Sequence, residues 1–88
     1  MSADLETTRR QLKIKSGVAK RLVKENGLYR KELVEATVKV DKLRAEGVEG
    51  WDINNATKMM QESEKMVKDA SVRMGKAVGD LRDLGNRY

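Results

Sequence analysis

The chain has no cysteine, no histidine, no proline and no phenylalanine, and aromatics make up only 3% of its 88 residues. Without cysteine, disulfides, thiolate metal sites and thiol nucleophiles are excluded. Without histidine, the commonest general base and the commonest metal ligand are absent. A sheet protein would need more β-branched and aromatic residues, broken by turn signals every ten residues or so, and neither is present. No apolar run approaches the ~18 residues of a membrane span, and the first residues carry no signal-peptide core. These absences leave one soluble, cytoplasmic helical domain over residues 1–88, expected to use no cofactor and no metal and to be no enzyme.

Charge is what the chain has in quantity. Charged side chains make up 38% of it, with a net charge of +5. Residues 1–46 hold twelve basic and seven acidic side chains, whereas residues 47–88 hold seven of each. The excess is concentrated in residues 9–24, which contain seven Lys or Arg and no Asp or Glu. Such a run draws an acidic partner from a distance.

Apolar periodicity places this run on a helix. Leu5, Leu12, Ala19, Asn26, Leu33 and Val40 recur every seven residues, and Thr8, Lys15, Leu22, Tyr29, Ala36 and Leu43 fill the intermediate position. Alternating spacings of three and four define the a and d rows of a coiled-coil seam. A second seam runs through Ile53, Ala56, Met60, Ser63, Val67, Ala70, Met74, Ala77, Leu81 and Leu84, with Tyr88 at the next a position. Between the two, Glu46-Gly47-Val48-Glu49-Gly50-Trp51 breaks the phase with two glycines and marks a turn. The spacing predicts a helix over about 4–45, a turn over about 46–51 and a helix over about 52–84, the helices being ~60 and ~50 Å long. A short connection makes such helices antiparallel neighbours. The fold class is therefore all-α: an antiparallel hairpin of two long helices with a coiled-coil-like seam. Asp52 is the predicted N-cap of the second helix, and Asp4, in competition with Ser2, that of the first. Trp51 is expected to staple the start of the second helix against the end of the first. Of the polar seam residues, Lys15 is expected to snorkel and Asn26 to set the register.

Four glycines, Gly17, Gly27, Gly75 and Gly79, fall inside the helical patterns, and each costs a helix interior roughly 1 kcal/mol relative to Ala. Asn26-Gly27 is not read as a turn, because the heptad phase continues across it. Gly75 and Gly79 are expected to fray the second helix locally. Apolar residues also spill beyond the seams: Ile14, Val18 and Leu28 beside the first, Met59 and Met66 beside the second, and Val34 and Val38 on the outer side. Two helices alone cannot enclose a core. The surplus apolar surface calls for a third helix, a second subunit or a client, and a homodimeric four-helix bundle is the expected cover.

The stretch Leu12-Lys13-Ile14-Lys15-Ser16-Gly17-Val18-Ala19-Lys20-Arg21-Leu22-Val23-Lys24-Glu25 resembles the opening helix of the tubulin-binding cofactor A family, the tubulin-specific chaperones A. A second block agrees in Lys42-Leu43-Arg44-Ala45-Glu46, Trp51-Asp52-Ile53 and Gln61-Glu62-Ser63, at a matching distance. The resemblance covers residues 9–66 and fades to helical pattern beyond Met66; the glycines from Gly75 to Gly85 depart from it. It implies a cytoplasmic, cytoskeleton-associated chaperone that captures and holds β-tubulin folding intermediates after chaperonin release, without nucleotide or metal. It also implies a bundle of three helices, whereas this sequence reaches only two, which strengthens the expectation of a dimer.

Candidate contact residues follow from the heptad wheel. Arg10, Lys13, Lys20, Arg21, Lys24 and Lys31 occupy b, c and f positions, away from the seam. Two readings of this ridge stand: a solvated face, or a docking strip for acidic tubulin that steers and orients more than it adds affinity. Met59 and Met66, with adaptable thioethers beside the seam, are the candidate client contacts, whereas Met60 and Met74 read as core. No catalytic constellation is visible: Glu62, Glu64 and Asp69 are strung among lysines on an open helix, and Gly75-Lys76 lacks the glycine spacing of a phosphate loop. The alternatives are a generic coiled-coil scaffold and a basic nucleic-acid-binding hairpin. The latter suits a pI of ≈ 9.6 but lacks interleaved aromatics. A membrane-surface helix fits less well, since the apolar face is committed to the seam.

Overall fold

The computed structural model describes residues 2–87, with side chains from Asp4 to Arg87. Two helices, α1 (Ser2–Ala45) and α2 (Trp51–Asn86), pack against each other as the antiparallel hairpin read from the sequence, and no strand occurs among the described residues. The result is a rod of 69 × 16 × 14 Å. The cap role of the Ser2 side chain and the seam position of Tyr88 lie outside the described residues.

Every fully buried side chain falls on a seam row: Thr8, Ala19, Asn26 and Val40 on α1, and Ala56, Ala70 and Leu84 on α2. The buried residues of α2 are mostly alanine, so the two backbones can approach closely while larger side chains of α1 lie over the gaps. Such a seam buries little per residue, and Val40 is the largest side chain wholly removed from solvent. The half-buried Leu12, Leu22, Leu33, Leu43, Met60 and Met74 contribute the rest.

Register is fixed by a polar pair. The Asn26 side-chain amide donates to Ser71 Oγ across the seam at 3.0 Å, and its carbonyl oxygen accepts from Arg30 Nε at 2.9 Å. Burying the amide without these partners would be costly, so a shifted register is disfavoured. Leu5, the outermost a residue described, is exposed, whereas Thr8 at the next d position is buried. Lys15 is half-buried at the seam, beside Asp80 and Asp83, as a snorkelling lysine would be.

The turn between the helices is built on Gly47 and Gly50. The Gly47 N–H bonds to the Arg44 carbonyl at 3.1 Å and the Val48 N–H to the Leu43 carbonyl at 3.0 Å. This is the Schellman pattern, with Gly47 in the left-handed region at φ 71°. Val48 and Leu43, both half-buried, occupy the positions that form its apolar clasp. Gly50 follows at φ 82°, ψ −139°, a conformation open in practice to glycine alone, and its carbonyl accepts the Asn54 N–H to begin α2.

Several sequence expectations are corrected here. Gly50, not Asp52, is the N-cap, and no side chain caps α2. Asp52 lies in the first turn, where its charge faces the positive end of the helix dipole. Asp4 likewise lies inside the first turn of α1, and its carbonyl accepts the Thr8 hydroxyl at 2.9 Å. Trp51 is 75% exposed and staples nothing. The physical reason is phase: Trp51 precedes the first a residue, Ile53, by two positions, about 200° away around the helix. The predicted fraying at Gly75 and Gly79 does not occur, since α2 continues to Asn86.

Candidate binding surface

The side chains singled out for binding fall on two separate surfaces. Arg10, Lys13, Lys20, Arg21, Lys24 and Lys31 all lie exposed on the side of α1 that faces away from α2. Their placement follows from b, c and f phase in a helix whose a and d rows are occupied by the seam. Over residues 7–34 these outward positions carry no acidic residue. The acids of the same stretch, Glu25 and Glu32, sit at g positions on the flank. Arg21 Nε and Glu25 Oε1 are 3.9 Å apart, a loose exposed pair of little energetic weight. The other five cations have no ion-pair partner among the described residues. Their charges are thus available to an external anion.

Met59 and Met66 are elsewhere. Both are exposed on the g flank of α2, where they border the groove between the helices. Met59 helps line an open recess of ≈ 320 Å³ together with Glu32, Glu35, Ala36, Lys39, Ala56 and Ser63. The Asn55 side-chain amide donates a weak bond to Met59 Sδ at 3.8 Å. Towards the open end the same groove carries a second recess lined by Ile14, Lys15, Val18, Ala77 and Asp80. The groove offers a shallow, partly apolar seat, and the ridge offers cations.

Two features escaped the sequence reading. The bridge Arg30–Asn26–Ser71 could have been half seen, since Arg30 follows Asn26 by four residues, a spacing that brings helical side chains together. The other is the exposure of the outward valines on the helix that carries the cation ridge, 62% for Val34 and 60% for Val38.

Among the described residues no group of three or more Asp or Glu side chains is arranged to hold a metal, and no helix is long and apolar enough to cross a membrane. A slender all-α hairpin with a largely unpaired cation ridge and a partly apolar groove belongs to the class of helical binding modules. Comparison with known proteins narrows that class. The chain belongs to the tubulin binding cofactor A family, whose sequence profile matches residues 7–88. It is similar to the human tubulin-specific chaperone A, with 45% identity over 75 residues, covering 85% of this chain and 69% of that one. The tubulin-folding cofactor A of Arabidopsis thaliana is 33% identical over 75 residues, covering 85% and 66% of the two chains. The solved structure of human tubulin chaperone cofactor a superposes with a TM-score of 0.78 at 42% identity, covering 88% of this chain and 75% of that one. The family match runs well past Met66, where the sequence reading let the resemblance fade; the glycines of α2 had masked it.

Proposed function

We propose that this hairpin is a non-catalytic chaperone that captures and holds β-tubulin folding intermediates after chaperonin release, without nucleotide. The observation that supports the reading is the cation ridge of α1, free of acids on its outward rows and paired within the molecule only at Arg21, in a chain of the tubulin binding cofactor A family. A ridge of mobile cations suits an acidic client because it speeds and orients encounter without demanding a rigid fit. Arg10, Lys13, Lys20, Arg21, Lys24 and Lys31 are the electrostatic contacts in this reading, and Met59 and Met66 provide an adaptable apolar contact along the groove. The setting is the cytoplasm, in association with the tubulin cytoskeleton.

Co-elution with β-tubulin released from chaperonin, run against α-tubulin and a DNA duplex at low and moderate salt, tests the proposal. Selective retention of β-tubulin is expected. Retention of DNA alone, lost as salt rises, would reassign the ridge to nucleic acid.

The groove also supports self-association. Its Met59 and Met66 flank is the surface on which a second hairpin would complete a homodimeric four-helix bundle.

A further inference from the structure

The outward face of α1 does not end with its cations. Reading along b, c and f positions, Arg10, Lys13, Lys20, Arg21 and Lys24, with Ile14 among them, give way to Leu28, Val34 and Val38, with Lys31 and Glu35 among them. These three apolar side chains are 53%, 62% and 60% exposed. Val34 and Val38 lie on the outer side, and Leu28, which the sequence places beside the seam, is also more than half exposed; none of the three lines the recesses of the groove. The face is therefore bipartite: a basic half ~21 Å long leads into an apolar half ~15 Å long on the same unbroken helix.

Two glycines lie on this face as well. Gly17 and Gly27 occupy f and b positions, and a Cβ at either would meet nothing within 4 Å. The fold therefore gives no steric reason for glycine at either site, where alanine would make a better helix. A bare helix surface is useful where another chain must approach the backbone closely.

We propose that this face docks one continuous polypeptide segment of the client, acidic where it crosses Arg10 to Lys24 and apolar where it crosses Leu28 to Val38. Charge complementarity sets the first half and the order along α1 sets the polarity of the segment. A nucleic acid is charged along its whole length and would leave the valines in water. A membrane-binding helix carries its apolar stripe alongside its cations, whereas here a single apolar residue, Ile14, lies among them and the larger apolar patch follows along the helix axis. The proposal rests on the chaperone reading for its natural client, and on this structure alone for the chemistry of the segment.

The test measures binding of the full chain to β-tubulin and, separately, to a fluorescein-labelled peptide of six glutamates followed by a Leu-rich stretch of two helical turns. A duplex DNA and anionic vesicles of phosphatidylserine and phosphatidylcholine serve as competitors. Three variants are compared: Lys20→Glu/Lys24→Glu, Val34→Ser/Val38→Ser and Gly17→Leu/Gly27→Leu. Each should weaken both β-tubulin and peptide at least tenfold, with the serine variant keeping the salt dependence that the charge variant loses. The leucine variant should melt higher yet bind worse, a combination that no loss of fold can produce. If β-tubulin binds wild type and all three variants alike, the bipartite face is overturned while the chaperone reading stands. If β-tubulin does not bind but the peptide binds wild type alone, the chaperone reading fails and the face stands. Binding of DNA or vesicles that is stronger than the peptide and indifferent to the serine changes overturns the polypeptide partner.

Discussion

Val40 and Val34 are the same side chain on the same helix, less than two turns apart, and they are used in opposite ways. Val40 is wholly buried in the seam, whereas Val34 stands in solvent on the far face. Nothing in the composition of α1 distinguishes them; only heptad phase does. The lesson is that this helix carries two independent messages. Its a and d rows specify the hairpin, and its b, c and f rows are free to specify what the hairpin meets. On α2 the outward rows mix Lys58, Glu62, Lys65, Lys68 and Asp69 with the exposed Val72, so cations are not segregated there as they are on α1.

Stability measurements can sharpen or break that division. The largest effect is expected at Val40→Ala, which should cost about 2 kcal/mol from lost burial and the cavity left behind. In a chain of this size that lowers the melting temperature by roughly 8–16 °C. A thermal scan showing no shift would mean that the seam is not what holds the hairpin together. Next come the glycines, which separate by position. Gly47→Ala should destabilise by about 1–2 kcal/mol, because an L-residue is strained at its positive φ. Gly27→Ala should instead stabilise by about 0.5–1 kcal/mol, since the site is helical and open. Urea titrations of the two variants should therefore move in opposite directions. The smallest effect is expected at Val34→Ala and Val38→Ala, each within about 0.5 kcal/mol of wild type. A larger loss there would mean that the outer face also serves the fold.

Much of this architecture was legible in the sequence because a coiled-coil seam is a local, periodic code. The a and d rows named from spacing alone contain every buried side chain, and the continuation of phase through Asn26-Gly27 correctly kept α1 whole. Asn26 was read as a register residue, and its bond to Ser71 gives that reading a partner the sequence could not supply. The errors cluster where phase gives no guidance. Caps at Asp4 and Asp52 were inferred from residue type, but the glycine conformations of the turn decided where α2 begins. Trp51 reads as a staple from its place at the start of the second helix, although its phase points outward. The binding surface was legible as a set of cations. Met59 and Met66 were legible as flanking the second seam, but the recess that Met59 lines together with Glu32, Glu35 and Lys39 of α1 is a long-range arrangement that periodicity does not give.

The asymmetry of the two ends has a consequence for how the rod comes apart. At the turn, the helices are tied covalently through Glu46 to Gly50 and clasped by the Schellman bonds, with Val40 and Ala56 buried close by. At the other end the outermost described a residue, Leu5, is half exposed. Contacts pair residues in nested fashion about the turn, so each layer depends on those inside it but not on those outside. Such a molecule behaves as a zipper, closing from the turn and opening from the free end. The cation ridge from Arg10 to Lys24 lies on the half that opens first. A client gripping that half would lend order to the part of the rod that has least of its own.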